Sequence, residues 1–333
     1  MAKSRKQKSV EAPNTKAAIL KLLKKYKEPE NIQWIRTGIH ALDLILGGGF
    51  PMKRIIELFG SESSGKSTLG WLLAKKFQEA GGVVIFLDME STEPVENARN
   101  LGVNVDEIFR PDPMPETVEQ VRDSVRDIVN DIRAVAPNVP ILVLWDTVAA
   151  TGTFRQWEKG EKGYNSRQAL DATMGAVAAA LSQYFQEFSK WLYNNNVTML
   201  CINQVREKIG VMFGNPETTP GGRALKFYSS IRLRLNKGKK LTVENNVIGF
   251  TCHASVEKNK FTPAFRKAEL KFQFAKGKSF DPYIWLVETL EAAGRIIKTK
   301  EGKLFPVDKP DEIYNDIETM VFNRKELLED WIN

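Results

Sequence analysis

The chain has 333 residues, of which 42% are apolar and 27% charged, enough for about two domains with a sizeable core and unlike a disordered or fibrous composition. Its net charge of +7 is unevenly placed: residues 1–30 carry nine Lys/Arg against three Glu, and residues 301–333 carry four Lys/Arg against nine Asp/Glu. That balance suits a polyanionic partner or ordinary solubility equally well, while the lack of any bilayer-length apolar run argues against a membrane protein. In the N-terminal arm, Ile19, Leu22, Leu23 and Tyr26 recur at helical spacing, with Lys21, Lys24 and Lys25 on other faces. The predicted amphipathic helix is too short to stand alone, so its apolar stripe docks on its own domain or on a neighbour.

From residue 53 to about 275, short apolar runs alternate with helical patterns, which predicts an α/β fold around a mostly parallel sheet. The first strand, Ile55–Phe59, runs into Gly60, Ser61, Glu62, Ser63, Ser64, Gly65, Lys66 and Ser67, a complete G-x-x-x-x-G-K-[ST] loop, and Thr68 to Gln78 reads as a helix. Two glycines let the backbone wrap a polyphosphate so that N–H groups and the helix N-terminus face its oxygens. Lys66 then reaches the outer phosphates, and the Ser67 hydroxyl is a hard ligand for Mg²⁺. The site is read as one for a nucleoside triphosphate with Mg²⁺.

Further strands are predicted at Val83–Leu87, Ile141–Trp145 and Val197–Ile202, and in such a sheet ligands sit at the carboxyl ends of strands. Asp146 closes the third run, where a carboxylate helps hold the Mg²⁺ shell. Glu90 follows the second and could orient or deprotonate an attacking water; Gln204 follows the fourth, where an amide could sense the terminal phosphate. Taken alone, Glu90 and Gln204 are equally compatible with solvated strand ends. Residues 205–223 form a long Gly/Pro-rich connection in which Arg206, Lys208, Phe213 and Arg223 interleave cations with an aromatic, a composition suited to single-stranded nucleic acid or to a plain surface loop. Alternating runs at Ile231/Leu233/Leu235, Gly249–Val256 and Ala268–Phe274 predict half-exposed antiparallel strands. Beyond a boundary near Gly277–Pro282, a small acidic unit is expected to hold a hairpin around Glu301-Gly302 and a last helix around Glu312–Val321. Cys201 and Cys252 fall inside predicted strands, too far apart in sequence to suggest a disulfide or zinc framework, and fit a reducing cytosol.

The loop Gly60–Ser67, the run Asn203-Gln204-Val205-Arg206, the stretch Lys208-Ile209-Gly210-Val211-Met212-Phe213-Gly214-Asn215-Pro216-Glu217-Thr218-Thr219, and then Gly221-Gly222 and Ala224-Leu225-Lys226-Phe227-Tyr228 together resemble the bacterial RecA recombinases over roughly residues 35–275. The resemblance implies an N-terminal arm with a polymerisation helix over 1–34, a RecA-type ATPase core over 35–276 and a small α+β C-terminal domain over 277–333. It implies ATP and Mg²⁺ as ligands, with Glu90 activating water, Lys66 and Ser67 meeting phosphate and Mg²⁺, Asp146 as the metal-shell acid and Gln204 as the γ-phosphate sensor. It also implies that Lys258 and Lys260 reach ATP held by an adjacent protomer, and that Phe227, with Lys226 beside it, packs between protomers as Ile19, Leu22 and Leu23 dock on the next subunit. Arg206, Lys208 to Asn215, Glu217, Thr218, Gly221, Gly222 and Arg223 correspond to a DNA-binding loop. The expected partners are single-stranded DNA, homologous double-stranded DNA and further copies of the chain in a helical filament.

Departures from the family pattern accompany these matches. Residues 151–175 hold Arg155, Trp157, Lys159, Lys162 and Arg167 in an unfamiliar arrangement. His253 and Ser255 stand where basic residues serve a secondary DNA site, for which Arg234, Lys237, Lys239 and Lys240 are candidate substitutes, and Asn97 stands where an aromatic stacks on adenine. Such divergence around an intact core points to a phage-encoded or otherwise distant member.

Overall fold

In a computed structural model, the protein is described over residues 31–91, 95–153, 167–207, 217–274, 280–281, 286–292 and 294–323. The body beginning at Trp34 is built on one eight-stranded sheet. Its chain order is α1 (His40–Leu46), β1 (Ile55–Gly60), α2 (Lys66–Glu79), β2 (Val83–Asp88), β3 (Ile108–Phe109), α3 (Val118–Val135), β4 (Ile141–Asp146), α4 (Arg167–Asn194) and β5 (Val197–Gln204). There follow a two-residue ladder of β6 (Arg206–Glu207) with β7 (Glu217–Thr218), then α5 (Ala224–Tyr228), β8 (Ile231–Val243), β9 (Asn246–Asn259) and β10 (Lys267–Gln273). The sheet runs β10-β9-β8-β1-β5-β4-β2-β3.

Strand periodicity divides the core between the two sheet faces. Ile56 and Leu58 of β1, Leu142 and Leu144 of β4, and Leu200 and Ile202 of β5 face α1 and α2, where Leu42, Leu46, Leu69, Leu73 and Phe77 cover them. The alternate residues Ile55, Ile141, Val143, Trp145, Val197 and Met199 pack with Val121, Val125 and Val129 of α3 and with Leu181, Phe185 and Phe188 of α4. Both faces are covered, which is why the central strands read as unbroken apolar runs. α3 shows how local sequence sets an element: Thr117 caps it in a capping box with Gln120, and its buried valines recur at helical spacing.

Two expectations need correction. The strand at Ile231 is not antiparallel to all its neighbours: β8 pairs parallel with β1, Ile231 opposite Ile56 through Leu235 opposite Gly60, and only its other edge is antiparallel, to β9. Its first residues Ile231, Leu233 and Leu235 are wholly buried, so β8 completes the central sheet before extending out of it as a hairpin. The last described helix, α7 (Ile317–Asn323), starts later than Glu312 because Tyr314 is bridged to Leu304 and Asp316 accepts from the Thr319 N–H at 2.7 Å, which places the helix start beyond both. Before it lie α6 (Leu286–Ala292) and a hairpin of β11 (Ile296–Lys298) with β12 (Leu304–Pro306), centred where Glu301-Gly302 predicts. Leu286, Leu290, Ile296, Leu304 and Met320 form a separate small core. No described helix is long and apolar enough to cross a membrane.

Candidate nucleotide and nucleic-acid site

Parallel strands β1, β2, β4 and β5 bring their carboxyl ends to one rim, and the site lies there. A cavity of about 510 Å³ is lined by Gly60, Glu62, Ser63, Lys66, Ser67, Asp88, Glu90, Asp146, Thr147, Ile202, Gln204 and Val205. Residues spread over 146 positions of sequence thus share one pocket because each lies near the carboxyl end of a central strand or in the loop and helix start that follow it.

The loop between β1 and α2 has the turn its sequence predicts. Gly60 has φ of 152°, and a Cβ there would lie 1.7 Å from the Leu235 carbonyl oxygen, so only glycine fits; Gly65 has φ of 90° at the entry to α2. Lys66, 8% exposed, turns its ammonium back onto the loop, donating to the Ser61 carbonyl at 2.6 Å and the Gly60 carbonyl at 3.4 Å. Burial pushes the Lys66 pKa down, against the opposing pull of the Asp146 and Glu90 carboxylates. A phosphate beside it would restore the preference for the charged form.

Ser67 donates its hydroxyl to Asp146 Oδ2 at 2.7 Å, so the two hard oxygen ligands predicted for Mg²⁺ are already in contact. Among the described residues, no cluster of three or more His, Cys, Asp or Glu could hold a metal by itself. That donor set fits Mg²⁺, which takes one or two protein oxygens and completes its shell with phosphate and water. Across the cavity, Glu90 Oε1 accepts from Gln204 Nε2 at 2.8 Å and from Thr147 Oγ1 at 3.0 Å. Glu90 and Gln204, each ambiguous in sequence, are therefore direct partners. Thr147 was missed by sequence reasoning, although its position directly after Asp146 at a strand end was a usable signal; Asp88, two residues before Glu90, was missed in the same way.

A buried polar network continues from Gln204 into the sheet. The Gln204 N–H donates to Asn203 Oδ1 at 3.0 Å, and Asn203 Nδ2 donates to Glu57 Oε1 at 3.2 Å and to the Pro220 carbonyl at 3.1 Å. Glu57, wholly buried, also pairs with Arg232, whose guanidinium lies 4.4 Å from the centre of the Phe59 ring. Asn203 thus ties the end of the strand bearing Gln204 to the end of the 205–223 connection. Gly221 and Gly222, at φ of 85° and 68°, press that end onto α4, where a Cβ would lie 2.5 Å from Leu181 and 2.7 Å from Ala178 respectively. A second cavity, of about 110 Å³, shares Val205 with the first and is lined by Glu217, Thr218, Lys226, Arg232 and Arg234, among others.

The remaining predicted residues fall as follows. Arg206 is exposed on β6, paired with Thr218 across the ladder that closes the loop base, and Arg223 is exposed just before α5. Lys208, Ile209, Gly210, Val211, Met212, Phe213, Gly214 and Asn215 lie outside the described residues, as do Ile19, Leu22 and Leu23 and the side chains of Arg155, Trp157, Lys159, Lys162 and Arg167. Phe227 is 66% exposed. Lys258 donates to the Lys226 carbonyl at 2.7 Å and the Phe227 carbonyl at 2.9 Å, holding the C-terminal end of α5, while Lys260 is exposed. Arg234, a candidate for a secondary DNA site, is ion-paired with Glu217. Asn97 is exposed on a short helix, Val95–Asn100, and is not among the residues lining the larger cavity.

Comparison with known proteins shows what the chain is similar to. The RecA N-terminal domain family matches residues 3–279. Protein RecA of Thermus aquaticus is 40% identical over 293 residues, covering 87% of this chain and 80% of that protein. Protein RecA of Mesomycoplasma hyopneumoniae is 38% identical over 254 residues, covering 76% and 71%, and Protein RecA of Oceanobacillus iheyensis is 40% identical over 253 residues, covering 76% and 68%.

Proposed function

The chain belongs to the RecA family, a family of DNA-dependent ATPases of recombination and repair, and from that premise we propose that it forms helical filaments on single-stranded DNA and catalyses homologous pairing and strand exchange. The observation that carries the reading is the single cavity holding Lys66, Ser67, Asp146, Glu90 and Gln204, with Gln204 at the mouth of the 205–223 connection. Its setting in this reading is the bacterial cytoplasm, including that of a phage-infected cell.

In this reading each residue takes a role that its position supports. The loop N–H groups and Lys66 bind the triphosphate of ATP, Lys66 exchanging the Ser61 carbonyl for phosphate oxygens. Ser67 and Asp146 would hold Mg²⁺, which would supply positive charge beside the terminal phosphates. Glu90, steadied by Thr147, accepts a proton from the attacking water at its carboxylate. Gln204 exchanges its bond to Glu90 for one to the terminal phosphate, and Asn203 carries that change to Pro220 and the DNA-binding loop. Arg206, the 208–215 segment, Glu217, Thr218, Gly221, Gly222 and Arg223 bind the unpaired strand, with contacts to its phosphates that make affinity fall with salt.

Lys258 and Lys260 reach the triphosphate of the adjacent protomer, with Lys226 and Phe227 at the same boundary and Ile19, Leu22 and Leu23 docking the arm. Triphosphate then strengthens contacts between neighbours and hydrolysis removes that gain, so hydrolysis times disassembly. The test is ATP hydrolysis by the purified protein with and without single-stranded DNA at low salt; equal rates would reject the proposal.

A second reading, an ATP-clamped single-stranded-DNA coat or loader without strand exchange, is favoured by one feature. Where the family resemblance expects basic residues, the His253 ring lies 3.4 Å from Glu269 and the Ser255 hydroxyl donates to Glu257 at 2.7 Å. Efficient three-strand exchange would exclude it.

A further inference from the structure

A loop that wraps phosphate must present its N–H groups forward and turn its carbonyls back, and the back of this loop rests at four residues on the β8–β9–β10 extension and on Phe280, which is bridged to Phe272 of β10. Gly60 lies against the Leu235 carbonyl, the Lys237 N–H donates to Ser61 Oγ at 3.2 Å, Cys252 Sγ donates to the Ser64 carbonyl at 3.3 Å, and Gly65 packs against Phe272 and Phe280. Among these contacts, the thiol bond is the one in which a side chain of the extension grips a loop carbonyl. We infer that Cys252 is a positioning residue for nucleotide binding, holding the Ser64 carbonyl away from the cavity so that the loop is formed before the triphosphate arrives.

The geometry suits that role. Cys252 sits wholly buried in β9 opposite Leu270 of β10, with its backbone set by ladders on both sides, so its sulfur has little freedom to follow a relaxing loop. Burial pushes its pKa up to about 12, so the thiol keeps its proton and remains a donor at working pH. Ser64 is itself wholly buried and donates its hydroxyl to the Ser61 carbonyl at 2.8 Å, which links the thiol to the carbonyl that Lys66 also holds. Loss of the thiol proton donor would leave the Ser64 carbonyl to seek a partner by rotating its peptide, and the same rotation turns the following N–H away from the phosphates.

The inference rests on the nucleotide reading above, and the experiment separates the two. Binding of a fluorescently labelled ATP and steady-state hydrolysis are measured for the wild-type chain, Cys252→Val, which removes the donor but keeps an apolar side chain in the strand, Cys252→Ala, and Cys252→Ser, which keeps a donor. The Val and Ala variants are expected to raise Kd and KM about five-fold with kcat within about two-fold, and Ser to stay within about two-fold of wild type throughout. Unchanged nucleotide affinity in Val and Ala overturns the inference, as does equal impairment of Ser and Ala, which would mean that packing and not the hydrogen bond matters. Should one of the Val and Ala variants fail to fold, the other with Ser decides it. Wild-type protein that binds no labelled ATP would overturn the nucleotide reading, and this inference with it.

Discussion

Replacing Glu90 by Gln separates catalysis from binding, because the substitution changes charge and proton affinity while keeping the shape. Glu90 Oε1 accepts from Thr147 and Gln204 at 3.0 and 2.8 Å, and an amide oxygen in the same place can accept both, so the pocket geometry and the thermal midpoint should hold. A glutamine cannot take the water's proton, and loss of a general base costs about 10²- to 10⁴-fold in rate, or about 3–5.5 kcal/mol of barrier. Binding should move the other way. Glu62, Asp88, Glu90 and Asp146 all line a cavity meant for a polyanion, so removing one negative charge lowers the repulsion, and the KM for ATP should stay level or fall. Steady-state hydrolysis at saturating single-stranded DNA gives kcat and KM, and electron micrographs of filaments after dilution give their persistence. The expected variant hydrolyses slowly, binds ATP at least as well as wild type and leaves long-lived filaments. A kcat within about three-fold of wild type would refute the assignment of Glu90 as base, and a raised KM with intact kcat would mean that it holds nucleotide instead.

Lys66→Ala should abolish ATP-dependent DNA binding while leaving the fold intact, measured by anisotropy of a labelled oligonucleotide with and without ATP; retained ATP dependence would contradict the loop's role. In the proposed filament Lys258 reaches nucleotide held by the adjacent protomer, so Lys258→Ala should shorten filaments, and it should cost about 1 kcal/mol of stability through the lost bonds to the Lys226 and Phe227 carbonyls of its own chain; filaments of wild-type length would contradict the proposed contact across protomers. Glu57→Ala strands the partly buried Arg232 guanidinium and removes an Asn203 partner, so denaturant unfolding should show a loss of about 3–5 kcal/mol; a loss below about 1 kcal/mol would show that the network relaxes freely. Asp43 is buried, and desolvation raises its pKa to about 6 despite the N–H bonds from Thr37 and Gly38. Its folded pKa lies above the unfolded value of 3.8, so the folded state binds the proton more tightly and this group's contribution grows as pH falls through 6. The stability of wild type relative to Asp43→Asn should therefore rise by about 1 kcal/mol between pH 7 and pH 5, and a flat difference would refute the shift.

Much of the site was legible because its residues end apolar strands, and an apolar run followed by a polar residue is a local pattern. Asp146, Glu90 and Gln204 stood out as candidates that way, the roles of the last two being implied only by the family resemblance, while Gly60 to Ser67 is a complete local motif. The β8 strand was misjudged in its pairing and not in its exposure: the alternation of Ile231, Leu233 and Leu235 with Arg232 and Arg234 carries no sign of direction, and its parallel ladder with β1 sets Arg232 beside Glu57, a partner 175 positions away. A buried ion pair leaves an exposed-looking polar residue in the sequence. Lys258 is a similar case, since the short helix end it holds is set by chain path and not by neighbouring residues.

The sequence by itself determined the chemistry of the phosphate loop, the α/β alternation and the polar residues that close the strands, since tight turns, apolar periodicity and strand ends are properties of consecutive residues. Only the tertiary structure decided that Glu90 meets Gln204 and Thr147, that Asn203 joins Glu57 to Pro220, and that Cys252 and Leu235 stand behind the loop. Those pairings depend on strand order and register, which are set by how whole faces of the sheet are covered and leave no trace in the spacing of any one segment.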